Sequence, residues 1–459
     1  MRALRTGVAM ALLATGLACS DDATGPADPR EYLGASVSAG PANVLSAEVT
    51  VRAAGWDSAA VRYWSTGDAG RTTPAYAFGA DSTAFVSVLG LRPESTYEAE
   101  VQLIGDGVSR ADTVEIGTGA LPSWLPAVTP IGTDTTPGFL VLSLPEGPVL
   151  VDNLGRVVWY VDDPDPTLVN FQAHPNGEFT IMGLADDPRE YRVLDELGRQ
   201  TRTIACAGFA TRQHEVRVLA DGSALALCDD TTIEDLSADG GSATAQVTWT
   251  VIQRLRPDGS LAWQWHGTDH VDPTDFVGAL DGVEILNLMH GNAVEVDVDG
   301  DLLASFRNLN EIMKLDATTG EVLWRFGGRR NEFTFLDDPK GAFQRQHGLR
   351  LVEPGVIQFL DDSDAPPSRR VRFELDEGAH TARLLWEYID GPEVHTLVGG
   401  NSEVYADGGG LVAFGRAGRV VEVDPLGAKR WELTGIEGAY VFRAQRIPSL
   451  YAAERTAEP

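Results

Sequence analysis

The sequence predicts an all-β protein, a six-bladed β-propeller preceded by a small β-sandwich. Three observations carry this: a turn-glycine and tryptophan pair that recurs along the chain, a second turn before most of those pairs, and almost no helical periodicity. "NLGRVVWYVDD", "PDGSLAWQWHG", "TTGEVLWRFGG" and "PLGAKRWELTG" each put Trp four residues after Gly, as Gly155/Trp159, Gly259/Trp263, Gly320/Trp324 and Gly427/Trp431. "ELGRQTRTI" and "DEGAHTARLLWEY" are degenerate copies that bring the count of outer hairpins to six. Before most of them lies an inner hairpin, turning at "HPNGEF", "LADGSALAL", "DVDGDLLAS", "VEPGVIQFL" and "YADGGGLVAF". Two hairpins per unit, repeated six times, read as propeller blades. A series of sandwiches is the alternative, and it accounts for the recurring Trp less well.

The elements follow in order. Residues 1–19 read as a signal peptide: Arg2 and Arg5 form a basic start, and an apolar run too short to span a bilayer ends in "GLAC". That ending resembles a bacterial lipoprotein box with Cys19 as the lipidated residue, although Gly16 leaves plain secretion open. The expectation is an exported chain in the periplasm or at the cell surface, lipid-anchored to the outer membrane, which it touches only through Cys19. Residues 20–30, "SDDATGPADPR", read as a linker. Residues 31–119 alternate as strands, and Leu91, Pro93, Ser95 and Tyr97 resemble the tyrosine corner of a fibronectin type III-like β-sandwich. Residues 120–459 hold the propeller.

The formal net charge is −31, from 67 Asp and Glu against 36 Lys and Arg, so nothing neutralises a phosphate backbone and nucleic acid is excluded as a partner. A small anion remains possible, because a local arginine outweighs acidic surface more than about 8 Å away at physiological salt. After processing, Cys206 and Cys228 flank one hairpin, as a disulfide or as two buried thiols.

In a propeller the first strand of every blade lines the axis and starts at the same mouth. Counting back eight residues from the inner turn glycines gives His214 from Gly222, Asn292 from Gly300, His347 from Gly355 and Asn401 from Gly409. His290 lies two residues before Asn292 and shares its strand face. These side chains are expected at one axial pocket, with the long connections 266–289 and 327–346 around it as a possible lid. His174 reads as a turn residue, and His266, His270 and His380 as loop or turn surface. A transition-metal site using these imidazoles with Asp361 or Asp362 is an alternative, although no close His pair has ligand spacing. No cofactor or metal is assigned.

The stretch "VLWRFGGRRNEF…FQRQHGLRLVEPGVIQFLDDSDAPPSRRVRFELD" (322–376) resembles the arylsulfotransferase family. "MHGNAVEVDVDGDLLASFRNLNEIMKL" is similar to that family's His-x-Asn blade, and "YVFRAQRIP", holding Arg443, to its closing strand. The resemblance implies transfer of a sulfuryl group from an aryl sulfate to a phenolic acceptor through a sulfated histidine. His290, His347 and Arg369 match its active-site motifs, and Asn292, Asn401 and Arg443 are assigned to substrate binding. Where the family carries its nucleophile, the last blade reads "GLVAFGRAGRVVEVD" without histidine. His395, His347 or His214 remain for the covalent step, or the step is absent. Asp361-Asp362 replaces the family's Asp-Asn. The alternatives are a non-catalytic binding or scaffold propeller and a metal-dependent hydrolase.

Overall fold

A computed structural model of the chain describes residues 30–132, 134–163, 165, 167–436 and 439–455. The signal peptide, Cys19 and nearly all of the linker lie outside the described residues. Among those residues no helix is long and apolar enough to cross a membrane.

Residues Glu31–Gly117 form two facing sheets around one apolar core, centred on Val49, Val61, Tyr63, Val86, Tyr97 and Val101. The Tyr97 hydroxyl accepts the Arg92 N–H at 2.8 Å, which ties the turn before its strand to the strand itself. This unit sits on the first two blades. Glu196 accepts from the Tyr76 hydroxyl at 2.6 Å and from Ala452 N–H at 2.7 Å, joining sandwich, blade 2 and C-terminal helix at one carboxylate.

The rest of the described chain folds into six antiparallel sheets arranged as propeller blades. Their innermost strands are Arg443–Ile447 (blade 1), Leu168–Ala173 (blade 2), Ala210–Val218 (blade 3), Gly291–Val296 (blade 4), His347–Glu353 (blade 5) and Asn401–Val404 (blade 6). Each packs beside the next around the ring. Closure uses both ends of the propeller chain. Arg443–Ile447 pairs with Phe139–Leu144 as the inner strand of blade 1, and Thr129–Ile131 pairs with Lys429–Thr434 at the outer edge of blade 6.

The repeat has the packing role its spacing suggests. Gly155, Gly198, Gly259, Gly320 and Gly427 take positive φ in the outer turns, where a side chain would be strained. Trp159, Trp324 and Trp431 are buried behind them, and Trp159 stacks on Phe171 of blade 2 at 5.6 Å. In blade 3 the buried ring is Trp265, two residues after the repeat position, while Trp263 is only partly covered. Cys206 and Cys228 form a disulfide, closing the alternative of free thiols.

The long connections run back onto their own sheets: Ile285–Asn287 pairs parallel with Ala245–Leu255, and Thr334–Leu336 with Thr381–Tyr388. These segments extend the sheets of blades 3 and 5.

Two expected ligand contacts are structural instead. Asn401 donates to the Ala444 carbonyl at 2.8 Å and accepts the Ala444 N–H at 2.9 Å, while Asn292 donates to the Gln346 carbonyl at 2.6 Å. Asn170, at the matching place in blade 2, donates to the carbonyls of Gln213 and His214. Each amide thus fastens its blade to the next inner strand, because strands crowded at the axis expose unpaired main-chain groups sideways. Asn401→Ala strands both Ala444 groups at the ring closure. A loss of about 1–3 kcal/mol is expected, read as a lower melting temperature.

Candidate functional site

All six inner strands run away from one mouth; His347 opens its strand, His290 immediately precedes its own, and His214 lies midway along Ala210–Val218. The sequence explains how rings fit there. His290 and His347 are each followed by glycine, and a Cβ at Gly291 would stand 2.7 Å from Thr250 Cγ2, one at Gly348 2.7 Å from Asn401 Cα. Real Cβ contacts are not that short, so the His-Gly pairs let neighbouring blades close beside the imidazoles. His290 itself takes φ 52°, an uncommon conformation for a non-glycine residue.

Three of the expected histidines meet. His290 Nε2 lies 2.8 Å from His214 Nε2, and the His214 ring centroid is 4.7 Å from that of His290 and 5.9 Å from that of His347. The Asn287 amide nitrogen lies 3.1 Å from His290 Nδ1, so that nitrogen accepts, and His290 Nε2–H donates to His214. His347 Nδ1 lies 2.9 Å from the Arg345 carbonyl, which only a protonated nitrogen can satisfy, leaving the lone pair on Nε2. That Nε2 is buried without a hydrogen-bond partner among the described residues.

Asp362 Oδ2 is 2.7 Å from His347 Nδ1, but it lies off the hydrogen-bond direction, which points to Arg345. The contact is a close approach without a hydrogen bond. Burial pushes the Asp362 carboxyl up to about 6, against the pull of His347. Burial likewise holds His214 and His290 well below the ordinary 6.5, helped for His214 by the His290 ring and for both by the Arg212 charge. Both rings are neutral at neutral pH.

Opposite pH signatures follow. From about pH 4 to about pH 6 the folded chain keeps the Asp362 proton that the unfolded chain gives up, so this group lowers stability as pH rises through that window. His214 and His290 act in the other direction: below 6.5 the unfolded chain takes protons that the folded rings refuse, so stability is lost as the pH is lowered. Asp362→Asn is therefore expected to stabilise the protein near pH 7.5 by about 3 kcal/mol, with the gain gone near pH 4. Denaturant melts at the two pH values check this.

Side chains with no signal in the blade alignment stand around the three rings. Arg307 begins the short turn after Leu302–Phe306, and its N–H donates to the His290 carbonyl at 3.1 Å. Its guanidinium donates to Asn308 Oδ1 and the Leu397 carbonyl, while its buried Nε has no partner among the described residues. Arg212, paired with Asp229, also keeps a buried Nε without a partner. Phe442 stacks on His214 at 5.7 Å, and Tyr440 packs edge-on against Phe442 at 5.7 Å. A hint lay in "SFRNLNE" and "AFGRAGR", which put Arg307 and Arg416 in matching turns of blades 4 and 6.

Three other expectations are corrected. Arg369 opens the third strand of blade 5, outside the axis, with no exposed surface. Its Nε binds Asp361 at 2.9 Å, Nη1 binds Asp338 at 2.8 Å and Glu387 at 3.1 Å, and Nη2 binds Asp338 at 3.1 Å and the Ala342 carbonyl at 3.0 Å. All five N–H groups are used, so none is left for a substrate oxygen. Burial opposes its charge, but Asp338 and Asp361 outweigh that and hold it protonated. Arg443 lies beneath the histidines, donating to Asn170 Oδ1 at 2.9 Å and the His214 carbonyl at 3.1 Å; it positions the blade-3 strand and does not face the mouth. His395 stands apart, with Nε2 3.3 Å from the Ser363 carbonyl.

Among the described residues, no group of three or more His, Cys, Asp or Glu side chains is placed to hold a metal ion. The site instead combines neutral imidazoles, arginines and aromatic rings, a set suited to an aromatic anion.

Residues 196–436, over half of the chain, match the model of the arylsulfotransferase (ASST) family. The chain belongs to the arylsulfotransferase family. The match spans the segments that carry His214, His290, His347 and Arg307, and it begins after the sandwich. Family membership suggests an arylsulfotransferase-like activity on small aryl molecules. None of the curated proteins matches the chain in sequence. Among solved structures, a protein of unknown function from Bacteroides caccae is similar with TM-score 0.43 and 13% identity, over 67% of this chain and 98% of that one. Virginiamycin B lyase from Staphylococcus aureus gives TM-score 0.33 and 13% identity, over 75% and 93%.

Proposed function

We propose that this arylsulfotransferase-family chain is an exported enzyme, tethered through Cys19, that moves a sulfuryl group from an aryl sulfate to a phenol by way of His347. The observation that carries the reading is the bare Nε2 of His347 beside the neutral His214–His290 pair. In the first displacement Nε2 attacks sulfur, the bond from sulfur to the aryl oxygen breaks, and its electron pair leaves on the phenolate. The phenolate leaves to solvent and takes its proton from water, because the neutral His214–His290 pair has no acidic proton to give. In the second, the pair takes the proton of the acceptor phenol as its oxygen attacks sulfur and releases His347, and then returns that proton to solvent. Protons and charge balance over the cycle.

Arg307 and Arg212 supply fixed positive charge and their unused Nε–H groups where the three sulfuryl oxygens gain charge. Phe442 and Tyr440 give the aryl ring a wall to stack on. A histidine takes the covalent role here although the last blade has none, because the blade-5 ring alone among the trio has its tautomer set by a main-chain carbonyl.

The test is turnover of a fluorogenic aryl sulfate by the purified chain. Release of the fluorophore is expected to need an added phenol. No release with any phenol from folded protein would defeat the proposal and favour a binding propeller.

A further inference from the structure

The far ends of the inner strands line a cavity of 260 Å³ on the side of the axis away from the histidines. His174, Arg217, Arg350, Glu403 and Arg446 reach it from blades 2, 3, 5, 6 and 1, and Arg455 reaches it from the C-terminal helix Ala452–Arg455. Arg350 follows His347 by three residues, so the two sites are about 10 Å apart along the strand at ~3.3 Å per residue. Glu215 and Arg443 lie between them, since Arg350 Nη1 and Arg443 Nη2 both bind Glu215 Oε2, at 3.3 and 3.4 Å.

The charge of this cavity is opposite to that of the molecule. Four arginines and one glutamate line it, in a chain of net charge −31. Arg217 is partnered from behind by Glu295 at 2.8 Å, and Arg446 by Glu422. Arg455 is different. Its Nη2 donates to the Gly177 carbonyl and its guanidinium lies 4.0 Å over the Phe179 ring. Its Nε and Nη1 are buried with no hydrogen-bond partner among the described residues. His174, expected only as a turn residue, is buried here, accepting the Val218 N–H on Nδ1 and donating from Nε2 to Thr180. Both its nitrogens are committed and it adds no charge. Leaving cationic donors unpaired in a buried place is costly, and a multi-oxygen anion is the acceptor that fits several converging guanidinium groups.

We propose that this basin binds a small tetrahedral oxyanion, sulfate or phosphate, independently of the chemistry at the histidine mouth. The charge is concentrated by the fold, since the four arginines come from three inner strands and the C-terminus.

Calorimetric titration of the full chain with sodium sulfate, and separately with sodium phosphate, at low ionic strength tests this against a sodium chloride control. Arg307→Ala is included to weaken binding at the mouth. One equivalent of sulfate or phosphate is expected to bind in that variant, and Arg455→Met in the same background should weaken it about tenfold or more. Arg455→Lys, which keeps the charge, should recover part of the loss, whereas a merely structural fault would not be so repaired. Arg217→Gln should weaken binding as well, without touching the helix. Three results would overturn the proposal: no binding of either anion to wild type, complete loss in Arg307→Ala, or binding unchanged by Arg455→Met and Arg217→Gln together.

Discussion

His347→Ala is expected to lower turnover of an aryl sulfate by at least about 10³-fold in a protein that still folds. The ring is buried, has one hydrogen bond to the frame, to the Arg345 carbonyl, and stands 2.7 Å from Asp362, so its removal lowers the melting temperature without unfolding the chain. What it removes is the nitrogen that attacks sulfur. Without it the arginines and the aromatic wall still hold the substrate, and binding should survive with activity gone. His347→Gln, which keeps bulk and polarity but has no nucleophilic nitrogen, should behave in the same way. Steady-state rates and thermal melts on the same preparations check both halves.

Arg369→Ala should do the reverse. Asp338 and Asp361 are almost wholly buried and both depend on this guanidinium, which is itself sealed from solvent. Deleting it leaves the buried Asp338 without its counter-charge and Asp361 with Lys340 alone at 3.9 Å, a change that costs about 3–5 kcal/mol. Asp361 also accepts the Gln344 N–H at 3.0 Å, so the damage reaches the segment leading to His347. The expected outcome is a strong fall in denaturant midpoint or failure to fold. Loss of activity with unchanged stability would instead make Arg369 a catalytic donor and contradict its place in this structure.

The contrast between these residues marks what could be read in the chain. Gly-Trp spacing exposed the blades because every blade meets the same packing problem, and alignment on the inner turns then brought His214, His290 and His347 to one end of the axis. The same alignment misread Asn292 and Asn401. A position that faces the axis also faces the next inner strand, and an amide satisfies main-chain groups there more readily than it awaits a ligand. Arg369 was misplaced for a related reason. A motif gives order along the chain but not distance from the axis, and the third strand of a blade lies outside the channel. Arg307, Tyr440 and Phe442 sit in turns and connections whose lengths differ between blades, so counting from a glycine does not reach them.

The central claim is that a histidine at the axial mouth accepts the sulfuryl group. Intact-mass measurement of the protein after mixing with an aryl sulfate, without acceptor and with rapid quenching, tests it most directly. A mass increase of one sulfuryl group is predicted, mapping to His347, disappearing on addition of phenol and absent from His347→Ala. An unmodified wild-type protein that still transfers sulfuryl groups, or an adduct on another residue, would contradict it.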